Sequence, residues 1–414
     1  MGDLLAEQAE QTATPARFGQ TLGAPRPKRS LIALACLLGL TVSGTWWVAF
    51  VPYFFLRGNN DFVSAYAGAS LAGSGKLYDL AAVSRAEAPL GDSRQLMVFP
   101  RFPYYAALLS PLRWLSYRTA YWTWQCISLA AVLAFVAFWP APQKWITLVA
   151  CCWSLPLAAC FIMGQDTTLV MAALAVSLAL FFRGRHFAAG LAISLCSIKF
   201  QLFLTLPLLI LTRRWWRFGG GLAAGGAALL GISFAVEGRT WPVQYVQALR
   251  TPILTPSFGL MPNLNGLFAG QPHAALLAGI GACVVLAAAW VVMFRGESAD
   301  AFAAMLVGGL LLSYHAFIQD AAILVPAGLL LIFSQTRPGY RLVGLILLSP
   351  LAFLTFRLAH PPYRSAAILL LALVALAIIP AVQRWWRPLR LPAAAPGRTG
   401  QRADGEPGVP RSSS

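Results

Sequence analysis

"LIALACLLGLTVSGTWWVAFVPYFFLRGNNDFVSAYAGASLAGSGKLYDL" (residues 31–80) decides the fold class. It opens on an apolar run longer than the roughly 20 helical residues that cross a hydrocarbon core of about 30 Å. It then turns abruptly to Asn, Asp, Ser and Gly, with Asp61 near the front. Apolar runs of the same kind recur as far as Val382. Of the 414 residues, 58% are hydrophobic and 11% charged, and the mean hydropathy is +0.67. Soluble domains carry about 25% charged residues. The chain therefore reads as an all-α polytopic membrane protein, with its length spent on crossings and no soluble second domain.

The formal net charge of +17 does not point to nucleic acid. Only Lys28, Lys76, Lys144 and Lys199 among the 31 basic residues are Lys, and the arginines fall mostly in short clusters between apolar runs, the positive-inside pattern. No basic face alternates with aromatic stacking residues. Cys36, Cys126, Cys151, Cys152, Cys160, Cys196 and Cys283 lie in apolar segments without CxxC spacing, so they read as small packing residues.

The spacing of breakers predicts helices near 31–56, 101–116, 119–139, 144–163, 166–182, 187–212, 218–236, 274–294, 301–318, 320–334, 341–357 and 364–383. About ten to twelve of these are spans. Residues 1–30 read as a cytoplasmic tail before an uncleaved first span, and 386–414, rich in Pro, Gly, Arg and Ser, as a second disordered cytoplasmic tail. The clusters "RWLSYR" (113–118), "RRWWR" (213–217), "TRPGYR" (336–341) and "RWWRPLR" (384–390) mark the cytoplasmic side. Two long polar gaps, 57–100 and 237–272, then fall on the opposite face.

One section strains this scheme. With single crossings throughout 119–212, the basic "RGRH" (183–186) lands outside and "GQD" (164–166) inside. Pro156 and the polar "IKFQ" (198–201) interrupt two of those runs near their middles, and both read equally as broken or re-entrant helices. Non-helical backbone is tolerated at depth where protein or a wet cavity satisfies it. On that second topology Gln165, Asp166 and Lys199 share a side with Asp61.

Carboxylates are scarce. Outside the tails, Asp61, Asp79, Glu87, Asp92, Glu237 and Asp320 fall on the non-cytoplasmic side, and on the second topology Asp166 joins them. Asp61 is balanced between two roles. One is capping a short interfacial helix over "FVSAYAGASL", and the other is a general base that takes the proton of an attacking hydroxyl. Lys199 is the one Lys deep in an apolar run, where it pairs with a carboxylate or meets an anionic lipid headgroup. Gln165 with Asp166, and His315 with Asp320, read either as helix-end hydrogen bonding or as parts of a site. Signatures of P-loop, HExxH and GxSxG chemistry are absent.

The order of several motifs carries a resemblance. "NDFVSAYAGASLAGSGKLYD" (60–79) is followed by "FPRFPYYAALLSPLRWLSYRTAYWTWQ" (99–125), "GQDTTLVMAAL" (164–174) and "RGRHFAAGLAISLCSIKFQLFLTLPLLILTRRWWR" (183–217). In that order they resemble glycosyltransferase family 87, polytopic transferases of GT-C architecture that include polyprenyl-phosphate-mannose-dependent mannosyltransferases of bacterial envelope lipids. The resemblance extends over about residues 30–385. It implies a GT-C-type bundle over 31–385 and a bacterial-type inner membrane location. It also implies a polyprenyl-phosphate sugar donor and a lipid or glycan acceptor.

The motif frame places Tyr66 beside the first-loop aspartate, whose base role carries to Asp61, and closes on Tyr78 and Asp79. Gly164 and Gln165 match the family's "G-Q", and Lys199 its "K-P", with Phe200 in place of Pro. Arg101 and Phe102 depart from the usual "P-Y-x-Y-P-P", and the basic residue of "A-G-R-A" is missing at Ala69. The resemblance implies that Lys199, Arg101, His315 or Arg364 holds the donor phosphate. Gln165, Asp166 and Asp320 are further candidates for binding substrate. One base and a good leaving group imply inversion, without the two close carboxylates of a retaining hydrolase, and no metal or other cofactor is demanded. A transporter or flippase of lipid-linked sugars is the alternative class.

Overall fold

The computed structural model describes residues 27–90, 98–250, 258–334, 338–350, 353 and 363–386. Among them the regular structure is helical, with no strand. α1 (Arg29–Trp47) continues through a 3-10 turn and a π-turn at Val51–Phe55 that accommodates Pro52. It delivers the chain to Gly58 at the end of the bundle where the polar residues gather, the site end. α2 (Phe62–Leu71) and α3 (Leu80–Glu87) fold the first polar gap onto this end. α2 is not the amphipathic surface helix that its spacing suggests. Phe62, Val63, Ala67 and Ala69 are all buried, because the helix is covered by Phe99 and by the rings of Tyr117, Tyr121 and Trp124.

The stretch expected to span at 101–116 does not cross. It holds α4 (Pro103–Leu109), seven residues long, and a 3-10 turn at Ser110–Trp114. At 1.5 Å per residue such a helix covers only about 10 Å. The Tyr66 hydroxyl donates to the Leu115 carbonyl at 2.7 Å, and the Tyr117 hydroxyl donates to the Gly58 carbonyl. "RWLSYR" therefore lies beside the first polar gap, not on the opposite face as its charge suggested. Two proline-started short helices leave too little length to carry the chain away.

α5 (Tyr117–Phe138) then runs to the far end. α6 (Lys144–Cys152) and α7 (Leu155–Ile162) return as one broken rod bent by 64°, with Pro156 in the first turn of α7 and the Ser154 hydroxyl accepting from the Leu157 amide. The Asp61 amide donates to the Met163 carbonyl at 3.2 Å, which fixes the end of α7 at the site end. α8 (Thr167–Phe181) leads back.

The next segment is a hairpin. α9 (His186–Ser194) rises into a 3-10 stretch, Leu195–Phe203, in which Lys199 leaves helical geometry at φ −128°, ψ 57°. α10 (Leu206–Arg213) follows, with Pro207 at its start. Both feet of this hairpin stand together, since the Phe181 ring lies 4.6 Å from His186 and 4.4 Å from Trp215. "RGRH" and "RRWWR" thus share the far end, and Lys199 sits at the tip. Of the two interruptions the sequence left open, the one at "IKFQ" is a hairpin, whereas 144–163 is a single bent rod running between the two ends.

α11 (Trp216–Glu237) packs along α9 so closely that a Cβ on Gly190 or Gly221 would stand 2.0 Å from a facing carbonyl oxygen. α12 (Trp241–Leu249) and α13 (Leu264–Leu267) occupy the second polar gap. α14 (Ala274–Arg295) leads away from the site end and α15 (Ser298–Leu312) returns to it. A 3-10 turn, Ile318–Ile323, enters α16 (Leu324–Phe333), and α17 (Pro338–Leu348) and α18 (Tyr363–Trp386) complete the bundle. α15 and α16 form the core, whereas α1 and α14 expose Leu37, Leu276 and Trp290 outward.

Among the described residues five helices are long and apolar enough to cross a membrane, or six with the bent pair, and six shorter apolar helices lie among them. Among the described residues several of the apolar runs expected to span are divided into short helices. The molecule is nonetheless an all-α polytopic membrane protein. Its two polar gaps meet, with the Gly73 amide donating to Glu237 Oε1 at 2.7 Å and the Tyr78 ring 5.4 Å from Tyr245.

Candidate active site

Asn60, not Asp61, makes the side-chain hydrogen bond at the start of α2. Asn60 is buried, and its Oδ1 accepts from the Phe62 amide at 3.1 Å. Its Nδ2 donates to the carbonyls of Phe54 and Ile162 at 2.9 and 3.0 Å. Asn60 therefore ties the start of α2 to the ends of α1 and α7. Asp61 stands at the N-cap position of α2 but makes no capping bond, which leaves its carboxylate free to face the other polar groups.

Gly164 lets these elements approach. It adopts φ +62°, and a Cβ there would lie 2.6 Å from Asn60 Oδ1, while Trp124 Nε1 donates to its carbonyl at 3.0 Å. Gly164→Ala is expected to cost about 1–3 kcal/mol through left-handed strain and overpacking, read as a lower thermal unfolding midpoint in detergent. An unchanged midpoint would refute this account of the turn.

Gln165, Asp166, Lys199, Arg101 and Asp320, drawn from four separate stretches of sequence, converge on Asp61. Arg101 grips Asp166 with two bonds, Nε to Oδ2 at 2.8 Å and Nη2 to Oδ1 at 3.1 Å, the planar fork that guanidinium offers a carboxylate. Lys199 Nζ lies 3.1 Å from Asp166 Oδ1, donates to Asp320 Oδ1, and donates to Gln165 Oε1 at 2.6 Å. Gln165 Nε2 donates to Asp61 Oδ2. The second oxygen of Asp320 accepts from the Phe317 amide at 2.9 Å, which fixes the turn before α16. Among the described residues no cation pairs directly with Asp61.

The electrostatics separate the carboxylates. For Asp166, burial alone would push the carboxyl up, but Arg101 and then Lys199 more than reverse this and hold it well below the usual range. For Asp61, burial dominates and raises the carboxyl. It outweighs the Gln165 hydrogen bond and the more distant charges of Lys199 and Arg101. The first is a paired counter-ion, and the second holds its proton more tightly than an ordinary carboxyl.

The remaining candidates are placed as follows. His315 lies close enough to feel Asp320, Arg101 and Lys199, with burial lowering its basicity. Its ring stacks edge-on to Phe317 at 5.0 Å. Tyr66 and Tyr78 are braces, since Tyr78 donates to the Arg101 carbonyl at 2.6 Å as Tyr66 does to Leu115. Asp79 caps α3 by accepting from the Ala82 amide at 2.9 Å. Arg364 stands in the first turn of α18, but its side chain lies outside the described residues, as does all of Asp92. The tie from Asn60 to Ile162 and the pairing of Arg101 with Asp166 had no signal in the sequence, because these partners lie 102 and 65 positions apart. Among the described residues no cluster of His, Cys, Asp or Glu could hold a metal ion.

Fold and site together define a polytopic membrane protein whose ionisable residues meet at one end of a helical bundle. The family model of glycosyltransferase family 87 matches residues 102–317, just over half of the 414 residues, and the chain belongs to that family. It is a membrane glycosyltransferase, working between a sugar donor and an acceptor. No curated protein and no solved structure matches it. Gln165, Asp166, Lys199 and His315 fall inside the matched span, and Asp61, Arg101 and Asp320 outside it.

Proposed function

We propose that the protein transfers a hexose, mannose, from a polyprenyl-phosphate donor to a lipid or glycan hydroxyl on the non-cytoplasmic face of a bacterial-type inner membrane. Both termini are cytoplasmic on this reading. One observation carries it: among the described residues Asp61 is the carboxylate of the cluster that no cation neutralises, while Asp166 and Asp320 are consumed by Arg101 and Lys199. A carboxylate of raised basicity in a protein-lined site suits general-base work.

The step balances with this chain's own groups. The acceptor oxygen forms a bond to the anomeric carbon, and the bond from that carbon to the phosphate oxygen breaks. The acceptor proton passes to Asp61, and the lipid phosphate leaves with the bonding pair. A single displacement inverts the anomeric centre. His315 is our assignment for the donor phosphate, because Lys199 directs its three donors to Asp166, Asp320 and Gln165, Arg101 is forked onto Asp166, and the imidazole nitrogens have no partner among the described residues.

His315→Ala is expected to raise the donor KM by about 10- to 100-fold, the worth of a hydrogen bond to a charged group, with a smaller change in kcat. An unchanged donor KM would remove His315 from the phosphate site. The reading as a whole is tested by supplying polyprenyl-phosphate mannose and membrane glycolipid acceptors to the purified protein in proteoliposomes. A mannosylated product of inverted anomeric configuration is expected. A retained configuration, or a donor carried across the bilayer without transfer, would overturn it.

A further inference from the structure

Lys199 has three N–H donors and no acceptor, so the Gln165 atom that meets it must be the amide oxygen. That choice leaves the Gln165 nitrogen turned to Asp61 Oδ2. An ionised carboxylate only accepts, and the pairing is therefore complementary at both ends. We infer that Lys199 and Gln165 form a positioning relay for the proposed base: Lys199 orients the Gln165 amide, and the amide in turn fixes the Asp61 carboxylate. The inference rests on Asp61 being the base, and it gives Lys199 a task other than holding the donor phosphate.

Three features support it. Lys199 is 1% exposed, and its ammonium is directed to Asp166, Asp320 and Gln165, all of them buried. The backbone breaks at Lys199, and the broken stretch is pressed against α15. There a Cβ on Gly309 would stand 2.0 Å from the Leu202 carbonyl oxygen, and the Thr205 hydroxyl donates to the Met305 carbonyl at 2.6 Å. The hairpin tip is thus held from behind. Finally, Gln165 is anchored at the backbone, where its amide donates to the Cys160 carbonyl at 2.8 Å, so its side chain spans two fixed points. Asn is too short for that span, and Glu would set acceptor against acceptor.

The groups that face Asp61 are Gln165 after α7, Lys199 at the hairpin tip, Arg101 before α4 and Asp320 before α16. Gln165 is the contact that favours the ionised carboxylate most directly, so its removal shifts the proton affinity of Asp61 upward.

The experiment compares wild type, Gln165→Leu and the isosteric Gln165→Glu in proteoliposomes with polyprenyl-phosphate mannose. For both variants kcat is expected to fall by about tenfold or more with the donor KM within about twofold of wild type. The acid limb of kcat/KM moves to higher pH, by roughly one unit or more in Gln165→Glu, where two carboxylates face each other. Infrared titration of the Asp61 carboxyl, taken as a difference against Asp61→Asn, reads the same upward shift without turnover. A raised donor KM with unmoved acid limb and titration would overturn the relay and return both residues to phosphate binding. Persistence of transfer in Asp61→Asn would instead sink the base assignment, so the two failures are separable.

Discussion

Asp61→Asn lowers the rate of sugar transfer by about 10²- to 10⁴-fold, the usual worth of a general base, while the protein remains folded. The substitution is clean because the introduced carboxamide keeps an oxygen able to accept the Gln165 amide hydrogen and loses only basicity. No ion pair is broken, since the cations of the cluster belong to Asp166 and Asp320. Stability moves in the opposite direction to activity. A carboxyl whose folded-state value lies above its unfolded value contributes stability at low pH that is lost as pH rises through the folded value. At neutral pH the ionised Asp61 is therefore a cost, and the Asn variant unfolds at the same or a higher temperature than wild type. The wild-type rate falls on the acid side, as pH drops through a value above the ordinary carboxylate range and the base becomes protonated. Transfer at wild-type rates in membranes containing the Asn variant would end Asp61's candidacy.

Asp166→Ala acts on the fold instead. The carboxylate neutralises Arg101 and shares Lys199 with Asp320, and the Arg101 and Asp166 side chains are 11% and 9% exposed. Removing one partner of a buried pair leaves the other charge uncompensated, at a cost of about 3–5 kcal/mol. The double variant Arg101→Met/Asp166→Leu should recover much of that loss, since it keeps the Lys199–Asp320 pair and removes a cation together with an anion. Thermal unfolding of the single and double variants in the same detergent measures both. Equal destabilisation in the two would show that Asp166 matters for some reason other than charge balance. On the pH axis, the depressed value of Asp166 means that its stabilisation is present above the unfolded value and disappears only in strong acid.

The two substitutions separate two carboxylates that the sequence presents alike. Asp61 and Asp166 each precede an apolar helix, and each reads as a plausible cap. Neither side chain caps its helix. What distinguishes them is the distant partner each one reaches: Arg101 lies 65 positions from Asp166, and Gln165 lies 104 positions from Asp61. Periodicity and capping rules operate over a few residues and carry no information on such pairings. The same limit explains the misplaced "RWLSYR". Charge counting assumes that each apolar run crosses, but Pro103 and Pro111 break this one into pieces too short to do so.

Composition and the recurrence of apolar runs were enough for a helical membrane protein, because a chain in lipid must satisfy its backbone internally and has few ways of doing so. The order of motifs was enough for the family, whereas the charge pattern around "RGRH" left single crossings and interrupted helices as equal readings. Tertiary structure alone decided that Lys199 is the tip of a hairpin, that its charge is spent on Asp166 and Asp320, and that Asp61 has no cation for a partner among the described residues. The physical reason is that a buried charge is governed by whatever lies within a few ångströms of it in space. In a bundle of broken helices, those neighbours come from remote parts of the chain.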